Sequence, residues 1–193
     1  MLALSLLLVN IWNLCARSWQ QAQQGGGRQR NLALALLKLD VQLRDSPGAS
    51  AIYQNTPNIP ALAFCSAWGI QSTGQSGNYT YQNGTLLPMW QKYAVCYLDT
   101  VNSTLDYAEI PISSTDLASN NTIPLDEWNG PWGVQPLTFY CVNGTRILSG
   151  VNNLNVQRQG GTINITVGMP PDPTLQGAGN SPLSLCQTVW LHN

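Results

Sequence analysis

The sequence predicts a mostly β fold, a disulfide-bonded, β-sandwich-like single domain with long glycosylated loops. Three observations carry that expectation. From Ser46 onward, short apolar runs are broken by Gly, Pro, Asn and Ser, with no amphipathic helical period. Cys65, Cys96, Cys141 and Cys186 form an even, widely spaced set, as a disulfide framework requires. Six Asn-X-Thr sequons, at Asn78, Asn83, Asn102, Asn120, Asn143 and Asn164, stand in the same stretch, about twice as many as random placement would give. A sequon becomes an acceptor only in the secretory pathway and at the surface, so the chain is expected to be secreted or displayed on a surface.

The N-terminal part reads differently. Residues 1–16 are signal-like and apolar, with Ala16 as a small residue at a cleavage point; Cys15 would leave with this leader. Residues 17–30 are Gln/Gly-rich, with Gly25-Gly26-Gly27 at the centre, and lack the apolar surface that offsets ordering entropy, so a disordered linker is expected. The β-rich domain then occupies 31–193. It opens on Asn31–Leu43, where Leu37, Leu39, Val41 and Leu43 alternate with Lys38, Asp40 and Gln42. The alternation is a strand period, although the Leu and Ala content suits a helix equally; a strand is the expectation.

The expected strands beyond Ser46 are Ala61–Ile70, Trp90–Leu98, Leu137–Val142, Arg146–Leu148, Gly161–Val167 and Pro182–His192. Asn83-Gly84, Asn129-Gly130-Pro131, Asn143-Gly144 and Pro170-Pro171 punctuate them as turns. The clearest hairpin runs from Phe139–Val142 through Asn143-Gly144 into Thr145–Leu148, because Asn-Gly suits the positive φ angles of a type I′ turn. Sequential pairing, Cys65–Cys96 and Cys141–Cys186, is expected among three connectivities. The lack of a CxxC pair argues against a zinc site, and neither spacing nor the tyrosine position fits an immunoglobulin domain.

Charge excludes other classes. Charged residues make up 9% of the chain, against about 25% in ordinary soluble domains. Glycans would keep so uncharged a surface hydrated. Beyond Ser46 there are three basic residues and seven acidic ones, so no patch exists there to neutralise phosphates and no nucleic-acid partner is expected. Arg17, Arg28 and Arg30 cluster near the N-terminus instead. The single histidine, His192, is penultimate, and Asp106, Glu109, Asp126 and Glu127 read as solvated loop carboxylates rather than a glycosidase pair. No enzyme, cofactor or metal is expected.

Aromatic residues offer the contacts. Trp128-Asn129-Gly130-Pro131-Trp132-Gly133 places two tryptophans around a tight turn, and Trp90 follows the Asn83 sequon loop. Trp90, Trp128 and Trp132 are candidate receptor contacts, since tryptophan buries much area at low entropic cost. The competing reading has Trp128 and Trp132 stapling the loop to the core.

Pro60–Cys65 (Pro-x-Leu-x-Phe-Cys), Tyr93–Cys96 (Tyr-Ala-Val-Cys) and Gly130–Thr145 (Gly-Pro-Trp-x-x-x-Pro-Leu-x-Phe-Tyr-Cys-x-Asn-Gly-Thr), with sequons between, resemble the N-terminal part of a retroviral envelope surface subunit of betaretroviral or endogenous type. The resemblance covers roughly residues 40–192. It implies a β-rich, glycosylated, disulfide-linked module that binds a host cell-surface receptor, secreted or on the virion or cell surface. It also implies a transmembrane envelope subunit as partner where a longer precursor exists. The sequence departs from the family in having no polybasic cleavage site, fusion peptide, heptad region, CX6CC segment or membrane-spanning helix, so a surface-subunit fragment or truncated endogenous product without fusion machinery is expected. The alternative is a secreted or cell-surface host β-sandwich, an immune-type receptor fragment or a lectin.

Overall fold

Ala61–Ser66 and Lys92–Asp99 are apolar almost without alternation, and this run dictates the architecture. A strand with apolar side chains on both faces must be covered on both. The computed structural model describes residues 26–67, 90–112, 123–172 and 181–191. It is mostly β, with two antiparallel sheets and one helix. The first sheet holds β1 (Ile52–Gln54), β2 (Ala61–Ser66), β3 (Lys92–Asp99), β4 (Thr104–Pro111) and β5 (Thr145–Ser149) in sequence order. The second holds β6 (Asn153–Gln159), β7 (Thr162–Met169) and β8 (Leu183–Trp190).

The two faces of the first sheet belong to different cores. Leu62, Phe64, Ala94, Cys96 and Leu98 face the second sheet and the helix, where they join Val156, Ile163, Ile165 and Val167. Ala61, Ala63, Cys65, Tyr93, Val95 and Tyr97 face the other way and are covered by Leu125, Trp128, Leu137 and Tyr140. Fully burying one such aliphatic or aromatic side chain is worth about 1.5–3 kcal/mol, so both covers contribute substantially.

Residues 26–44 form helix α1, not the expected strand, and its first five residues occupy part of the expected linker. Leu32, Ala35, Leu36, Leu39 and Leu43 are buried, whereas Leu34, Leu37 and Val41 are exposed. That spacing is helical, and it splits the alternating set Leu37, Leu39, Val41 and Leu43 between two faces. Leu and Ala are strong helix formers, so propensity and the longer period together outweigh the local alternation. Arg44 pairs with buried Asp40 at 2.6 Å across one turn and places a cation at the C-terminal end. Pro47 lies just beyond, where it disfavours continuation. Tyr107 Oη on β4 donates to Gln42 Oε1, and Lys38 Nζ lies 5.0 Å from the Tyr107 ring centroid, which fixes α1 to the first sheet.

The second sheet follows simple alternation. Leu154, Val156, Ile163, Ile165, Val167 and Val189 point inward, and Gly160 at φ +58° turns β6 into β7. Asn55, just after β1, ties the sheets together. Its Nδ2 donates to Val156 O at 2.8 Å and its Oδ1 accepts from Val156 N at 3.1 Å, so one side chain mimics a neighbouring strand at the β6 edge.

Three other expectations need correction. Leu137–Tyr140 is a 3-10 turn, and β5 pairs with β4, so the hairpin through Asn143-Gly144 does not form. Pro136 before the turn and the burial of Leu137 and Tyr140 against the sheet favour that turn over a strand. Asp106 and Glu109 are not loop residues but lie in β4. The sequential disulfides are not seen either: no Cys65–Cys96 or Cys141–Cys186 bond is present in this structure. Cys65 and Cys96 point to opposite faces of one sheet and are offset by three residues in register, about 10 Å along the strands. Cys141 is buried in the same core as Cys65 and Trp128, while Cys186 is exposed opposite Thr166 on the outer face of the second sheet. No described helix is long and apolar enough to cross a membrane.

Glu109 has a structural task. Lys92 is 0% exposed, and its Nζ lies 2.5 Å from Glu109 Oε1, a diagonal cross-strand pair on the helix-facing side. Glu109→Ala should destabilise the fold by about 3–5 kcal/mol in urea unfolding, because it strands a buried ammonium. Lys92→Met combined with Glu109→Leu should recover most of that loss; a double variant no better than Glu109→Ala would show that the carboxylate acts elsewhere.

Candidate binding surface

The segment 123–143 covers one face of the first sheet, and its sequence divides it into an anchor and a display. Leu125 and Trp128 are the anchor. Trp128 is 1% exposed and packs on Tyr93 with ring centroids 5.2 Å apart, and Tyr93 Oη donates to Ile123 O at 2.7 Å. Gly130 is required here, since a Cβ would run into the indole ring. Gly133 N donates to Gly130 O at 3.0 Å, closing a turn around Pro131 and Trp132, with Gly133 at φ +73°. The indole Nε1 of Trp128 and the hydroxyl of Tyr140 are buried without a hydrogen-bond partner among the described residues.

The turn points Trp132 outward. Trp132 is 55% exposed, and its ring lies 6.0 Å from Phe139 and 6.4 Å from Tyr140. In the 3-10 turn, Leu137 and Tyr140 face the core while Phe139 is 44% exposed and meets Tyr140 edge-on at 5.2 Å. Val134 and Val142 of the same segment are also exposed. The three candidate tryptophans therefore separate. Trp132 is displayed, Trp90 is half-buried at the margin of the core, and Trp128 is a core residue and not a contact. Phe139 is the display residue that sequence reasoning missed, because its run had been assigned to a strand.

Three sequons fall within the described residues; Asn78, Asn83 and Asn120 lie outside them. Asn102 is exposed in the β3–β4 turn, where Asp99 accepts from Val101 N, Asn102 N and Asn102 Nδ2 at 2.9, 3.0 and 2.6 Å. The Asn102 side-chain hydrogen bond is the main cause of a lowered Asp99 carboxyl pKa. A glycosylated Asn keeps one N–H, so this contact is compatible with modification. Asn143 is exposed at φ +55°, and Gly144 N donates to Tyr97 Oη at 3.0 Å. A Cβ at Gly144 would lie 2.8 Å from that oxygen, so the Asn-Gly dipeptide serves a left-handed residue and a close approach, not a hairpin turn. Both turns contribute to the lining of a cleft of about 440 Å³, Val101 and Asn143 among its residues. Asn164 is half-buried on the outer face of the second sheet, and its Oδ1 accepts from Thr188 Oγ1 at 2.7 Å.

No protein-family model, curated protein or solved structure matches the chain. The site must be read from its own geometry.

The thiols do not enter that surface. Burial pushes Cys65 and Cys141 up to about 12, and burial together with the neighbouring Cys141 raises Cys96 further. A thiol held neutral is a poor nucleophile. Native alkylation followed by peptide mapping should therefore label Cys186 and spare Cys65, Cys96 and Cys141; an unlabelled Cys186 that becomes reactive on reduction would show that it is disulfide-bonded. The same burial sets an alkaline limit. In the unfolded chain these thiols ionise near 9.0 while in the fold they stay protonated, so the unfolded state binds fewer protons. Stability should fall as pH rises above 9, by up to about 1.4 kcal/mol per pH unit for each of Cys65 and Cys96.

The tryptophans differ in a measurable way. Trp128→Ala should cost about 3–5 kcal/mol in chemical unfolding, whereas Trp132→Ala should stay within about 1 kcal/mol. Equal losses would place both rings in the core.

Proposed function

We propose that the chain is a receptor-binding module of retroviral-envelope type, a glycoprotein acting outside the cell through the aromatic face of residues 132–142. The observation that carries this reading is the division between Trp128, fixed under the loop, and Trp132 with Phe139, held outside it. Large aromatics exposed on a segment anchored by its own buried tryptophan make a preorganised contact surface, and preorganisation reduces the entropy cost of binding.

The envelope class rests on the resemblance of Pro60–Cys65, Tyr93–Cys96 and Gly130–Thr145. These stretches are neighbours in the fold. The first two lie on the paired strands β2 and β3, and the third is the segment that covers them. The two sheets sharing one core suit a sandwich-like module. Its partner is a host cell-surface receptor protein, joined by a transmembrane envelope subunit where a longer precursor exists. The product is secreted or displayed on the virion or cell surface, and it is not an enzyme. A glycan at Asn143, one residue from exposed Val142, would shield one flank and leave the Trp132 side open.

The test is binding of the purified glycoprotein to receptor-bearing cells by flow cytometry. Trp132→Ser with Phe139→Ser should lower cell binding at least about tenfold while the melting temperature moves by only a few degrees. Undiminished binding by a folded double variant would refute the assignment of this face.

A further inference from the structure

The basic residues near the N-terminus gain a meaning from the fold. Helix α1 carries Arg28 and Lys38 onto the body, and the edge strand β5 brings Arg146 to meet them. Together they line a groove of about 660 Å³ between α1 and β5. That size is ordinary for a small-molecule site. In a chain with eight Lys and Arg residues, three around one groove is a marked segregation.

No carboxylate is among the described residues lining the groove. Arg28 is oriented from behind, with its guanidinium donating to Pro170 O at 2.6 Å and ion-paired with the Asp172 carboxylate 4.0 Å away. Lys38 rests over the Tyr107 ring, which positions its ammonium without neutralising it. Asn31 and Ser149 add polar groups to the walls, whereas Leu34, Ile147 and Met169 give the groove apolar surface. The apolar surface continues outside, since Leu34, Leu37 and Val41 lie on successive turns of the exposed face of α1.

We propose that this groove binds an amphiphilic anion, a phosphate, sulfate or carboxylate head joined to an apolar body. The three cations receive the head with charge-assisted hydrogen bonds, and Leu34, Ile147 and Met169 receive the body. A plain inorganic anion would leave the apolar wall wet, and a neutral amphiphile would leave the Lys38 ammonium, held over the Tyr107 ring, without an anion to meet. The groove lies on the α1 side of the first sheet, away from the Trp132 segment, so the two assignments stand or fall separately.

Isothermal titration calorimetry on the full glycoprotein at low salt tests this, with monomeric octyl phosphate, inorganic phosphate and octyl glucoside as probes. Octyl phosphate should bind at least about tenfold more tightly than either of the others, and Lys38→Gln with Arg146→Gln should remove at least about tenfold of its affinity. Raising the ionic strength should weaken it further. If the double variant does not fold, Arg146→Gln alone, at an exposed position on the edge strand, should still weaken binding severalfold. Equal binding of octyl glucoside, equal binding of inorganic phosphate, or unchanged affinity in a folded variant would each overturn the proposal. Vesicles of anionic phospholipid identify the source. Flotation of the protein with them would make the ligand a membrane headgroup, and octyl phosphate binding without flotation would make it a free amphiphile.

Discussion

Strands β2 and β3 cannot be solvated on either side, and the rest of the molecule is arranged around that fact. Every residue of β2 and seven of the eight in β3 are buried. The α1 side is closed by a helix and a second sheet, which contribute leucines on a helical stripe and alternating Ile and Val. The opposite side is closed by an irregular segment with far fewer apolar residues, so single side chains matter more there. Trp128 provides much of that cover, which explains why its indole stays buried although Nε1 finds no partner among the described residues. An unmade hydrogen bond costs about 1–3 kcal/mol, less than the 3–5 kcal/mol typically lost when a core tryptophan is removed.

What was legible in the chain follows the same division. β2, β3, β7 and β8 were recognisable because their apolar runs are long or alternate cleanly, and burial then fixes the register. β4 was hidden by Asp106 and Glu109, since carboxylates in a run argue for a loop. The sequence alone does not show that Glu109 meets a lysine buried on the neighbouring strand. α1 was misread because Lys38, Asp40 and Gln42 fall at alternate positions by accident, and four alternations are too short to separate a period of 2 from 3.6. Its full length, with Leu32, Leu36, Leu39 and Leu43 in one stripe, decides the matter. The display surface was half legible. Two tryptophans around a glycine turn signalled something, but only the steric demand at Gly130 shows which ring lies under the loop.

Cysteine parity misled for a related reason. An even number of cysteines suggests pairs, yet parity carries no information about which face of a strand each thiol occupies. The register sets Cys65 opposite Tyr93 and Cys96 opposite Leu62, so the two thiols stand three positions apart and face opposite cores. In this fold three of the thiols behave as small apolar side chains, which is a common fate of buried cysteine.

The two covers also explain how so few charges suffice. The acidic and basic residues are not spread as a solvating film. One pair is sunk between β3 and β4, one closes the last turns of α1, and three cations gather where α1 meets β5. The opposite cover carries no Lys or Arg between Ile123 and Val142 and shows aromatic rings instead. Hydration of that side comes from the exposed carboxylates of Asp126 and Glu127 together with amides and hydroxyls. A near-neutral composition therefore conceals a molecule whose two sides differ in chemistry. The asymmetry arises because the sheet between them needed two covers, and the chain built one from a helix rich in Leu, Arg and Lys and the other from a tryptophan-anchored turn.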